Sequence, residues 1–192
     1  MMINFIYQCS DMQKITALLI FVFMAACGSK QKKEPQMLLA DLITKETVKV
    51  DDINLPVYDF DGIEPLFHME DNKTYVINFW ATWCQPCVEE LPYFEKLHME
   101  QKDNNVEVVL VSLDMPKMWK SRLVPFLKKN NLRSKVIILD DPKQNTWIPK
   151  VDKEWSGGIP ATIIYNKNKR TFYEQSFTYE ELNSSLYTFI KN

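Results

Sequence analysis

Glycine and histidine are scarce: the 192 residues hold four Gly and two His. The glycines are Gly28, Gly62, Gly157 and Gly158, and no pair of them has the spacing of a phosphate-cradling loop. Dinucleotide and P-loop nucleotide binding are therefore excluded. His68 and His98 are far apart in the chain, so a His-rich metal site is not expected, and no metal or other cofactor is. An excess of one charge is also missing. Lys and Arg total 23 against 25 Asp and Glu, a net charge of −2. A nucleic-acid partner, which demands a concentrated basic surface, is not expected. What is present is apolar residues, 46% of the chain, enough for the core of one domain.

The apolar run at residues 15–26 follows Lys14, ends in small residues, and is too short to span a bilayer comfortably. A basic start, an apolar middle and a small-residue end read as a secretory signal peptide over residues 1–26. Residues 1–11 carry no basic residue, whereas Met12-Gln13-Lys14 opens a compact signal, so Met12 is the expected start of translation. Met24-Ala25-Ala26-Cys27 resembles the bacterial lipobox, with Met24 in place of the usual Leu. Cys27 is then the lipidation site, and residues 27–46 are a lipidated Cys with its linker. The alternative is ordinary cleavage that leaves Cys27 a spare thiol. Each acyl CH₂ buried in a bilayer contributes about 0.8 kcal/mol, so several chains anchor durably.

Residues 47–192 alternate strand and helix patterns. A short helix is expected over 37–43, and edge strands at 48–50 and 57–60. Residues 74–80 (TYVINFW) form a strand rich in β-branched and aromatic side chains. Residues 85–101 form a helix with Leu91, Phe94, Leu97 and His98 on one face, kinked at Pro92. Residues 106–113 are almost continuously apolar, as in a central strand covered on both faces. Trp119, Leu123, Phe126 and Leu127 recur at helical spacing around Pro125. A strand at 136–139 and a short helix at 146–151 follow. Residues 162–165 and 171–175 make a hairpin about the turn at 166–169. Thr178 and Glu181 form a capping box for a last helix bearing Leu182, Leu186, Phe189 and Ile190. The order βαβαβ then ββα predicts an α/β fold with a mixed central sheet flanked by helices and N-terminal edge strands.

Of the four cysteines, Cys84 and Cys87 form a lone C-x-x-C between the strand at 74–80 and the helix at 85–101. There Cys84 sits at a helix N-terminus, whose partial positive charge lowers a thiol pKa from about 8.5. Cys87 follows on the same face, and the spacing permits a disulfide. Cys84 is the candidate attacking thiol and Cys87 the shielded resolver. Half of a zinc site is the structural alternative, but no second C-x-x-C or H-x₃₋₅-H accompanies it. A purely structural disulfide is the other, though closing so short a loop constrains the unfolded chain little.

Trp83-Cys84-Gln85-Pro86-Cys87 after a strand, with Gly157-Gly158-Ile159-Pro160-Ala161-Thr162 downstream, resembles the thioredoxin superfamily. The stretch from Asn78 to Cys87, followed by Glu89-Glu90-Leu91-Pro92, is more specifically similar to the TlpA/ResA-like exported thiol–disulfide oxidoreductases of bacteria. The resemblance implies a thioredoxin fold, a cis peptide before Pro160, and a Pro160 that faces the Cys pair. With Ile159 and Trp83, Pro160 is a candidate substrate-binding residue. Trp83 is either a wall of the site or the edge of the core. Thioredoxin carries a buried Asp where this chain has Asn78, which cannot accept a proton. The resemblance offers Glu90, three residues after Cys87, as the third catalytic residue; the alternative is a solvated Glu like Glu89.

The activity so implied is reduction of disulfides in exported proteins, with re-reduction by a membrane thiol donor and apocytochrome c among the targets. The place implied is the periplasmic side of a bacterial membrane, held through the lipid anchor. A thiol oxidase or disulfide isomerase shares the motif, and a tethered binding module with an idle Cys pair is the non-enzymatic alternative. A peroxiredoxin would need Thr three residues before its Cys and a Pro further upstream. Here Thr82 is two before Cys84, and residues 73–81 hold no Pro.

Overall fold

The computed structural model describes residues 41–190. The signal, the Met12 start and Cys27 lie outside the described residues, as does most of the helix expected over 37–43. Seven strands form one mixed sheet: β1 (Glu46–Val50), β2 (Ile53–Tyr58), β3 (Thr74–Trp80), β4 (Val106–Ser112), β5 (Lys135–Leu139), β6 (Ala161–Asn166) and β7 (Lys169–Tyr173), in the order β1-β2-β5-β4-β3-β6-β7. The β2–β5, β5–β4 and β4–β3 pairs are parallel, and the others antiparallel. Among the helices are α1 (Phe60–Ile63), α2 (Gln85–Gln101), α3 (Pro116–Met118), α4 (Val124–Asn130), α5 (Gln144–Val151) and α6 (Tyr179–Ile190).

Strand alternation splits the core into two layers. Val76, Trp80, Val108, Leu110 and Ile164 face one side, where Leu91, Phe94 and Leu97 of α2 meet Leu182, Leu186 and Phe189 of α6. Tyr75, Ile77, Phe79, Val109, Val111 and Ile163 face the other, packed with Phe60, Phe67, Trp147 and Trp155. Burying a large apolar side chain contributes about 1.5–3 kcal/mol, and every residue of β3 is buried. The alternation also places Asn78, between Val76 and Trp80, on the layer roofed by α2.

The structure corrects several boundaries. Strand β2 is not an edge; it lies between β1 and β5. It ends at Tyr58 because Asp59 caps α1, accepting from the Gly62 amide at 2.9 Å, and Phe60 is already helical. The hairpin returns from Lys169 rather than Thr171, because Asn166 Oδ1 accepts from the amides of Asn168 and Lys169 and tightens the turn. Pro125 lacks an amide hydrogen, and just before it residues Trp119–Leu123 form a wider π-helical turn, closed by the Val124 amide on the Trp119 carbonyl. His98 is only half-buried. Leu42 packs into the second layer and Lys45 pairs with Asp140 at 2.8 Å, so the folded unit reaches back into the expected linker. No described helix is long and apolar enough to cross a membrane.

Candidate functional site

The site forms where β3 runs into α2. Cys84 is the helix N-cap, with extended backbone (φ −92°, ψ 101°), and its Sγ accepts from the Cys87 amide at 3.3 Å. Pro86 fits the first turn because the amide it lacks has no helical partner there. Cys84 and Cys87 are joined by a disulfide, with Cα atoms 5.3 Å apart. Cys84 lies at the edge of the surface, 6% exposed, whereas Cys87 is fully enclosed. The bond between Ile159 and Pro160 is cis, and the Ile159 carbonyl oxygen lies 3.7 Å from Cys84 Sγ. Trp83, which precedes Cys84 in the chain, is half-exposed and not part of the buried core.

A buried carboxylate absent from the sequence reading fixes the loop before Cys84. Asp114 follows the C-terminal end of β4 and accepts from the Thr82 amide at 3.0 Å, the Thr82 hydroxyl at 2.5 Å and the Ser112 hydroxyl at 2.9 Å. Arg122 donates to the Thr82 carbonyl at 3.0 Å, and Trp119 donates to the Asp114 carbonyl at 2.6 Å. The Thr82 hydroxyl is thus committed to Asp114. The available signal was position alone: a polar residue just past a central parallel strand, where such folds gather functional groups.

Glu90 is 1% exposed. Its Oε1 accepts from Asn78 Nδ2 at 2.9 Å and its Oε2 from the Phe177 amide at 2.8 Å. Burial pushes its pKa up to about 7, and the two donors, Phe177 and then Asn78, hold it partly back. Asn78 also donates to Thr162 Oγ1 at 3.1 Å, while its Oδ1 is buried with no partner among the described residues. Glu90 is therefore not a solvated surface group. Glu89 is exposed and bonded to Gln85 at 2.9 Å. The structure brings the Cys84–Cys87 pair against Ile159, the residue before the cis Pro160, with Trp83 next to Cys84 in the chain and Glu90 three residues after Cys87 on the helix. Among the described residues, no cluster of three or more His, Cys, Asp or Glu could hold a metal ion.

A strand–Cys-x-x-Cys–helix unit facing a cis-proline, on a mixed sheet, is the architecture of thioredoxin-fold proteins. Within that class the chain belongs to the AhpC/TSA family, whose model matches residues 48–171. Among curated relatives it is similar to the thiol-disulfide oxidoreductase ResA of Oceanobacillus iheyensis, 52% identical over 44 residues, 23% of each chain. ResA of Halalkalibacterium halodurans is 28% identical over 116 residues, 60% of this chain and 61% of that one. The sporulation thiol-disulfide oxidoreductase A of Bacillus subtilis is 25% identical over 111 residues, 58% of this chain and 59% of that one. Each match spans less than two thirds of the relative's length. Solved structures share the fold. A secreted thiol-disulfide isomerase from Corynebacterium glutamicum superposes with a TM-score of 0.56 at 17% identity, over 85% of this chain and 95% of that one. The thioredoxin domain of a thiol-disulfide oxidoreductase from Bacteroides vulgatus gives 0.52 at 19%, over 81% and 98%.

Proposed function

We propose that the protein is an exported, membrane-tethered thiol–disulfide reductase working through a Cys84/Cys87 dithiol. The observation that carries this reading is the pairing of an edge sulfur at a helix N-cap with an enclosed one three residues on. In the reduced protein the Cys84 thiolate attacks a substrate disulfide. One substrate sulfur joins Cys84 in a mixed disulfide and the other leaves as a thiolate. The Cys87 thiolate then attacks Cys84 Sγ, which expels the second substrate thiolate and forms the Cys84–Cys87 bond. Two electrons pass to the substrate, and the two protons lost by the thiols go to its leaving sulfurs.

Helix N-terminal amides favour the Cys84 thiolate. An enclosed Cys87 ionises reluctantly, and Glu90, with a pKa near neutrality, suits the transfer of its proton. Trp83, Ile159 and Pro160 receive an extended substrate segment beside Cys84. Cys27 carries the lipid anchor on the periplasmic side of a bacterial membrane, residues 1–26 are removed, and a membrane thiol donor restores the dithiol. The targets are disulfide-containing exported proteins, apocytochrome c among them. Dithiothreitol-driven reduction of insulin tests the reaction. Turnover by the wild type and none by Cys84→Ser supports it. No turnover by the wild type would leave a binding module.

A further inference from the structure

Residues 156–158, which lead into Ile159 and Pro160, are exposed rather than packed within the core. Hydrogen bonds hold them. The Glu174 carboxylate, just past the end of β7, accepts from the Ser156 amide at 2.9 Å, from the Gly158 amide at 2.8 Å and from the Ser156 hydroxyl. From the opposite side, Trp155 Nε1 donates to the Gly158 carbonyl at 2.7 Å. The Trp155 indole is itself buried, with its ring centre 4.7 Å from that of Phe79. Gly158 is therefore held through both of its flanking peptides, its N–H by Glu174 and its carbonyl by Trp155. A Cβ on residue 158 would stand 2.6 Å from Glu174 Oε1, so glycine is what allows the carboxylate to approach. Gly157 turns the chain there with φ +95°, which favours glycine. The next residue is Ile159, whose carbonyl oxygen, in the cis peptide to Pro160, lies 3.7 Å from Cys84 Sγ.

We propose that Glu174 is a positioning residue, holding residues 156–158 so that Ile159 and Pro160 stand at the right distance from Cys84 to receive an extended substrate chain. The inference rests on the exchange reaction proposed above. Glu174 touches neither sulfur, so it acts on substrate affinity and not on thiol chemistry. Charge-assisted hydrogen bonds at an exposed site are of modest strength, which makes the expected loss of affinity about fivefold.

The test compares wild type, Glu174→Gln and Glu174→Ala in the full chain with two substrates. Insulin presents an extended chain, and hydroxyethyl disulfide presents none. Both variants are expected to raise KM for insulin about fivefold at unchanged kcat, with turnover of hydroxyethyl disulfide and the pH profile of Cys84 alkylation unchanged. Amide hydrogen exchange at Ser156 and Gly158 should speed up in both. Unchanged exchange, or faster exchange with unchanged KM for insulin, would overturn the proposal. An equal loss on both substrates, or a shifted alkylation profile, would also overturn it by moving the effect to the thiols. Wild-type protein that turns over neither substrate would instead sink the exchange reaction itself.

Discussion

Asn78 donates its side-chain amide hydrogen to Glu90 at 2.9 Å, from the central strand β3 to the helix that carries both cysteines. An amide side chain on the sheet thus holds the acid on the helix. With the Phe177 amide on the other oxygen, Glu90 is held from two sides within the buried interior.

The first prediction concerns that carboxylate. Its pKa rises from 4.5 to about 7 on folding, so the folded state binds the proton more tightly than the unfolded chain does. Its contribution is therefore most favourable below pH 4.5, weakens as pH rises to about 7, and is constant above that. The full swing is ~3 kcal/mol, from ~1.4 kcal/mol per pKa unit. Glu90→Gln should fold and lose this dependence, as read from urea unfolding between those pH values. It should also slow resolution of the mixed disulfide and shift the cysteine pH profile, while Glu89→Gln changes neither.

The second prediction separates the sulfurs. In the reduced protein Cys84 should react with iodoacetamide and Cys87 should stay inert, because Cys84 keeps a small exposed area, 6%, and Cys87 has none. Cys84→Ser should abolish exchange. Cys87→Ser should accumulate mixed disulfides, visible by mass spectrometry. Alkylation confined to Cys87 would reverse the roles.

Asp114→Ala supplies the third. It leaves the Thr82 amide and the hydroxyls of Thr82 and Ser112 without their buried acceptor. Unfolding in urea should show a loss of ~3 kcal/mol, the cost of stripping partners from buried polar groups. Asp114→Asn, which keeps one acceptor oxygen, should lose less.

The fourth concerns the anchor. Mass spectrometry of membrane-bound protein should find Cys27 as an acylated N-terminus. A free product beginning elsewhere would detach this activity from the membrane.

Local chemistry made part of this molecule legible before the structure. The strand at residues 74–80 and the helix at 85–101 have the expected bounds, because a β-branched and aromatic run meets a helix opened by Cys84 and Pro86. The capping box is present too: Thr178 Oγ1 accepts from the Glu181 amide at 3.3 Å, and Glu181 accepts from the Thr178 amide at 2.9 Å. The misjudged end of β2 also had a local cause, since Asp59 capping the Gly62 amide marks a helix start and competes with the apolar run through Phe60. Asp114 and Glu174 were invisible for a different reason. Asp114 reaches Thr82 across 32 residues, and Glu174 reaches Gly158 across 16. Such partners meet only through sheet order, which no local pattern encodes. Glu90 stands between these cases: its spacing from Cys87 could be read in advance, whereas its bond to the Phe177 amide could not.

The reduction potential of the Cys84–Cys87 pair, measured against glutathione, tests the central claim most directly. A strongly reducing value near that of thioredoxin, about −270 mV, is predicted, and a value near about −120 mV would contradict it and make the protein an oxidase.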